Sequence, residues 1–94
     1  MEELIAAVQD HAAGSGKPVW LGEFGVPRSG DPERDLAVFE AMVEAIEAEG
    51  AALAAFWVFE LGMQEGTWNV TFENERAGMI EVVGRANARL PAMP

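Results

Sequence analysis

Two short apolar runs separated by one well-marked helical segment constrain this chain more than any other feature. Val19 to Phe24 and Ala51 to Phe59 are rich in β-branched, aromatic and small apolar residues and nearly free of charge, the composition of strands buried on both faces. Between them Asp31 can cap a helix whose first residue is Pro32. Leu36, Phe39, Met42, Val43 and Ile46 then form an apolar stripe opposite Glu40, Glu44 and Glu47, and Gly50 ends it. A connection that long cannot be a hairpin, so the spacing predicts two parallel strands joined by a right-handed crossover helix. Leu4, Ile5, Val8 and Ala12 predict an amphipathic helix before them, stopping at Gly14-Ser15-Gly16. A last helix carries Ala77, Ile80, Val83, Asn87 and Leu90 and ends at Pro91, which completes the order α-β-α-β-α.

The 94 residues make one domain at most, spanning the whole of 1–94, and their formal charge is −10. Phosphate binding depends on clustered Lys and Arg that this composition lacks, so a nucleic-acid partner is excluded. The acids are scattered along helix faces, as expected of solvated helix exteriors. With no cysteine and one histidine, thiolate nucleophiles, disulfides and ordinary zinc sites fall away, and no metal or cofactor is expected. No apolar run is long enough to span a bilayer, and Met1-Glu2-Glu3 lacks the basic start of a secretory signal.

Chemistry concentrates at Glu23. The run Lys17-Pro18-Val19-Trp20-Leu21-Gly22-Glu23-Phe24-Gly25 delivers a carboxylate to the C-terminal end of a strand, with Gly22 and Gly25 keeping bulk away, and Val26 to Pro32 reads as a surface loop. A doubly wound sheet would follow its strand with a Gly-rich phosphate turn, whereas a (β/α)₈ barrel carries catalytic groups at the tops of several strands. The second fits Glu23. A complete barrel takes roughly 250 residues, so the expected fold is a partial TIM barrel, two parallel strands with three helices, lacking most of its walls. The inward faces of Leu21, Leu53 and Ala55 are expected to need cover from other strands.

Those residues resemble family 5 glycoside hydrolases, the cellulase and mannanase group. Lys17 to Gly25 looks like the family's seventh strand, Ala55-Phe56-Trp57-Val58-Phe59-Glu60 like its eighth, and Thr67-Trp68-Asn69-Val70 through Asn74-Glu75-Arg76 like the loop and start of its closing helix. The resemblance implies that Glu23 is the nucleophile and that Trp57 stacks on the sugar, with Trp68 lining an outer subsite. It implies a polysaccharide or oligosaccharide substrate with β-linkages, remaining barrel strands or self-association as partners, and an exported enzyme, secreted or periplasmic. Retaining hydrolysis needs a second carboxyl about 5–5.5 Å from the first. The family's general acid lies in an Asn-Glu pair on a strand without counterpart here. Asn74-Glu75 mimics that pair but opens the last helix, where Glu75 suits the helix dipole. The alternative is a non-catalytic carbohydrate-binding or assembly module that keeps the aromatic residues and lacks the acid.

Other signals carry less. Gly14-Ser15-Gly16-Lys17 mimics a phosphate loop, but His11 stands at the first glycine, Pro18 replaces the hydroxyl residue, and a helix precedes it. Trp20 is expected to pack under a helix and His11 to be solvated or to cap a helix end, while Asn69-Val70-Thr71 fits a glycosylation acceptor.

Overall fold

Helix α1 (Glu2–Ala13), strand β1 (Trp20–Phe24), helix α2 (Pro32–Glu49), strand β2 (Leu53–Phe56), a 3₁₀ turn (Gly62–Gln64) and helix α3 (Gly78–Ala88) follow one another in the computed structural model, which describes residues 2–50 and 53–90. β1 and β2 pair in parallel, as a crossover between them requires. α2 forms where its caps demand. The Asp31 carboxylate accepts the Arg34 N–H at 3.2 Å, and Gly50 closes the helix at φ 69°, a left-handed conformation that glycine adopts without a Cβ clash. The expected start of β2 at Ala51 and the helix stop at Pro91 lie outside the described residues.

The strand register carries the main correction. Trp20 pairs with Leu53, Leu21 with Ala54 and Phe24 with Phe56, so Gly22 and Glu23 together oppose the single residue Ala55. One extra residue in a strand reverses the parity of every side chain beyond it. Leu21 and Phe24, three apart, therefore share the half-buried face with Ala54 and Phe56, while Trp20, Glu23, Leu53 and Ala55 are all exposed. Trp20, expected beneath a helix, is 68% exposed, and Leu21 stands opposite in sense to the expected inward set. Alternation counted without the bulge put both on the wrong side.

Helix α2 covers one face of the sheet. Phe39 is almost fully buried, stacked on Phe24 at 5.5 Å between ring centroids and edge-on to Phe56 at 5.9 Å. Val26, Val43, Val70, Met79 and Val82 complete the core, the last two brought in by α3. α1 packs on α2, burying Ile5 and donating from Gln9 Nε2 to the Glu49 carbonyl at 2.6 Å, whereas Leu4 and Val8 of the expected stripe stay exposed. β2 also stops short of the expected Phe59. Beyond Phe56 the chain leaves β1 after a cis peptide at Trp57–Val58, and Phe59 bridges Val70 in its own following loop.

One acid departs from the solvated exteriors. Asp35, in the first turn of α2, is buried and accepts the Ser29 hydroxyl at 2.6 Å and the Ser29 N–H at 3.1 Å. Arg76 lies beside it, Nη1 to Oδ2 at 3.7 Å, and donates through Nη2 to the Val26 carbonyl, tying the approach to α3 to the loop after β1. The Ser29 hydroxyl is the main influence holding the Asp35 carboxyl below its ordinary range, against the opposing effect of burial, with the Ser29 amide, Arg76 and Arg34 assisting. A carboxyl lowered in the folded state stabilises fully above its unfolded pKa and loses that contribution as pH falls through the folded value. Asp35→Asn is expected to cost about 3–5 kcal/mol at neutral pH, because it leaves buried Arg76 beside a neutral partner. Urea unfolding of both proteins between about pH 6 and pH 2 should show the gap closing below about pH 4; a gap unchanged by acid would contradict a charged Asp35.

Candidate functional site

The C-terminal ends of β1 and β2 are locked together by their backbones, and this places the three expected site residues at one end of the sheet. The Trp57 N–H donates to the Phe24 carbonyl at 2.7 Å. A Cβ on Gly25 would sit 2.4 Å from the Trp57 carbonyl oxygen and 3.5 Å from Cε3 of Trp68. Only glycine permits that approach. Glu23, two residues earlier, is thereby held next to the segment that carries Trp57. The Trp68 carbonyl accepts the Val58 N–H at 3.5 Å, which brings the loop tryptophan to the same corner.

Glu23 itself is exposed at the bulge, and no hydrogen bond or ion pair engages its carboxylate among the described residues. Glu60 and Glu73 are likewise unengaged, whereas Glu65 and Glu75 are held. Arg28 donates to the Glu65 carboxylate, to its carbonyl at 2.6 Å and to Glu75. Asn74 and Asn69 also donate to the Glu65 carboxylate, at 3.1 Å and 3.3 Å. The Asn74 amide is the leading cause that lowers the Glu65 carboxyl from its ordinary pKa, followed after opposing desolvation by Asn69 and Arg28. Glu75 precedes α3 and does not sit in its first turn, because the helix starts at Gly78; an ion pair with Arg28 takes the place of the expected dipole interaction. Asn74 is a turn residue: its Oδ1 accepts the N–H groups of Thr71 at 3.3 Å and Arg76 at 3.0 Å. Both members of the Asn-Glu pair are thus structurally committed.

Trp57 is 36% exposed, and its indole Nε1 donates to Gln64 Oε1 at 2.7 Å. Trp68 is half-buried. Asn69 is only 2% exposed, with its Oδ1 accepting the Leu61 N–H at 2.7 Å, so the expected acceptor tripeptide has its amide buried in the loop and inaccessible to glycosylation. His11 is exposed in the last turn of α1, in line with a solvated role. Among the described residues no three His, Asp or Glu side chains converge as a metal site, and no helix is long and apolar enough to cross a membrane.

Two concavities lie elsewhere among the described residues. A groove of about 350 Å³ runs between the C-terminal halves of α2 and α3, lined by Val43, Ile46, Leu53 and Val83 with the Glu47–Arg89 pair at its rim. It is mainly apolar and reaches Phe24 and Ala54 of the sheet, and Glu23 does not line it. A second of about 350 Å³ follows Gly25 to Ser29 and Arg34 beside α2. Neither is lined by Glu23, Trp57 or Trp68, and neither brings a free carboxylate together with an aromatic platform. The corner at Glu23 and Trp57 is the better candidate because the backbone lock at Phe24 and Gly25 holds an exposed carboxylate and a part-exposed ring at one end of the sheet.

Arg28, Arg76, Asp35 and Gln64 escaped the reading of the sequence. The signal available for the arginines was scarcity: six Lys and Arg in an acidic chain, and every Arg proves to be ion-paired. Gly25→Ala should cost about 1–3 kcal/mol by overpacking against an immobile carbonyl and should displace Trp57. Thermal melting with near-ultraviolet circular dichroism checks both, and an unchanged melting point with an unchanged tryptophan signal would show that the approach at Gly25 is not tight. Comparison with protein-family models, with curated proteins and with solved structures finds no match, so the residues themselves carry the functional reading.

Proposed function

We propose that this chain forms the C-terminal part of a (β/α)₈ catalytic domain of a retaining glycoside hydrolase that resembles family 5 and cleaves β-linked glucan or mannan. Glu23 is its nucleophile, Trp57 its sugar platform, and Trp68 a wall of an outer subsite. The observation that carries the reading is a parallel sheet covered on one face only, whose open face presents an unengaged carboxylate at a strand end beside a part-exposed tryptophan. Parallel sheets are ordinarily covered on both faces. Here Trp20, Leu53 and Ala55 are exposed on the open side, Leu4 and Val8 are exposed on α1, and further barrel units would cover them.

In this reading a Glu23 oxygen attacks the anomeric carbon as the glycosidic C–O bond breaks, and the leaving oxygen takes a proton from an acid on the remaining strands. Water then hydrolyses the glycosyl ester with retention. The bulge serves this chemistry by turning Glu23 to the open side with Ala55 and away from α2. A non-catalytic carbohydrate-binding or assembly module is the second reading. It is favoured by one observation: Glu65 and Glu75 are held by Arg28 and are not free to protonate a leaving group.

In the complete enzyme Glu23→Gln should lower turnover of soluble glucan or mannan by on the order of 10³-fold or more without loss of folding, and the wild-type product should keep the substrate's anomeric configuration at early times by NMR. Near wild-type turnover by the folded variant, or inversion, would remove Glu23 as nucleophile. The chain alone should hydrolyse no glycan and should self-associate through its unpaired strand edges and open face. Light scattering at several concentrations tests this, and a sharp monomeric mass with cooperative melting would favour the binding module.

A further inference from the structure

The indole N–H of Trp57 can only donate, so the side-chain amide of Gln64 must turn its oxygen toward the ring and its NH₂ group away from it. The Nε2 hydrogens meet no protein acceptor among the described residues, and Gln64 is half-buried beside the part-exposed ring. The residue is also unusually well anchored. Its N–H donates to the Leu61 carbonyl at 2.9 Å, and its own carbonyl accepts the N–H groups of Thr67 at 3.0 Å, Trp68 at 3.0 Å and Asn69 at 3.1 Å. The amide therefore sits on a 3₁₀ turn tied to the following loop, and little side-chain and loop freedom remains to be lost when a ligand arrives.

We propose that Gln64 is a glycan-binding residue: its Nε2 group donates a hydrogen bond to a hydroxyl oxygen of the sugar stacked on Trp57. The proposal rests on the reading of Trp57 as a sugar platform and adds a polar contact that fixes the sugar's orientation on the ring. An apolar face alone lets a pyranose slide and rotate. A donor held at the ring's edge by the ring's own N–H requires an acceptor at one position of the sugar, and hydroxyl oxygens supply it. Gln64 thus acts twice, its oxygen setting the plane of the indole and its nitrogen reading the ligand.

Two substitutions separate these roles. Gln64→Glu keeps an oxygen for the indole and removes the donor; Gln64→Met, similar in length and uncharged, removes both. Binding of cellohexaose and mannohexaose to the full chain is measured by titration calorimetry per chain, whatever its state of association. The Trp57 indole ¹H–¹⁵N resonance, identified by its loss in Trp57→Phe, reports the indole bond. Gln64→Glu is expected to weaken whichever oligosaccharide binds by about 5- to 10-fold with the indole resonance retained downfield. Gln64→Met should weaken it at least as much and move the resonance upfield. Wild-type affinity in Gln64→Glu overturns the donor role while leaving the platform reading in place. Wild-type affinity in Trp57→Ala, or no binding of either sugar by the folded wild-type chain, overturns the platform reading and this proposal with it.

Discussion

Phe39 is the residue on which the rest of the structure depends. It projects from the middle of α2 between Phe24 of β1 and Phe56 of β2, stacked on one ring and edge-on to the other, and it fixes the crossover helix against both strands at once. The crossover makes the strands parallel, Val26, Val43 and Val70 close around the triad, and α3 adds Met79 and Val82. Truncating such a side chain costs about 3–5 kcal/mol, a large fraction of what a small domain has to spare. The same triad decides which sheet face is covered. α2 takes the face of Phe24 and Phe56, and the opposite face, with Glu23, is left open.

The elements were legible where local chemistry and packing agree. Asp31-Pro32 and Gly50 mark the ends of α2, and a helix between two apolar runs leaves parallel pairing as the solution. Features that depend on a partner far along the chain were hidden. The bulge at Gly22 and Glu23 is a property of two strands together, so Trp20 and Leu21 read from alternation alone fell on the wrong faces. Asp35 looks like any acid in a first helical turn until Arg76, far along the chain, arrives beside it. Asn69 reads as an acceptor tripeptide, yet Leu61 and Glu65 fold over it. β2 was overextended because Trp57 to Phe59 keep strand composition, yet past Trp57, whose N–H still reaches Phe24, the backbone hydrogen bonds of Val58 and Glu60 go to Trp68 and Val70.

The position of Glu23 was legible, but its isolation was not. In this acidic chain the arginines are consumed by structural work: Arg28 holds the loop after β2, Arg76 the loop after β1, Arg89 joins α3 to α2 through Glu47, and Arg85 bridges Glu40 and Glu81. None reaches Glu23. Glycines around it and the bulge beneath it turn the carboxylate outward, while Gly25 brings Trp57 close behind. A carboxylate used only to support a loop is expected to have found a donor, as Glu65 and Asp35 have. Glu23 has none among the described residues, as Glu60 and Glu73 also have none, so its oxygens are open to a ligand.

The proposed nucleophilic attack by Glu23 can be tested without a general acid, because a dinitrophenolate leaves without being protonated. The protein is incubated with 2,4-dinitrophenyl 2-deoxy-2-fluoro-β-glucoside and the corresponding mannoside, and its peptides are mapped by mass spectrometry. The expected result is a single fluoroglycosyl ester on the peptide carrying Glu23, absent in Glu23→Gln. An ester on another carboxylate, or release of dinitrophenolate with no adduct, would contradict the assignment of Glu23 as nucleophile.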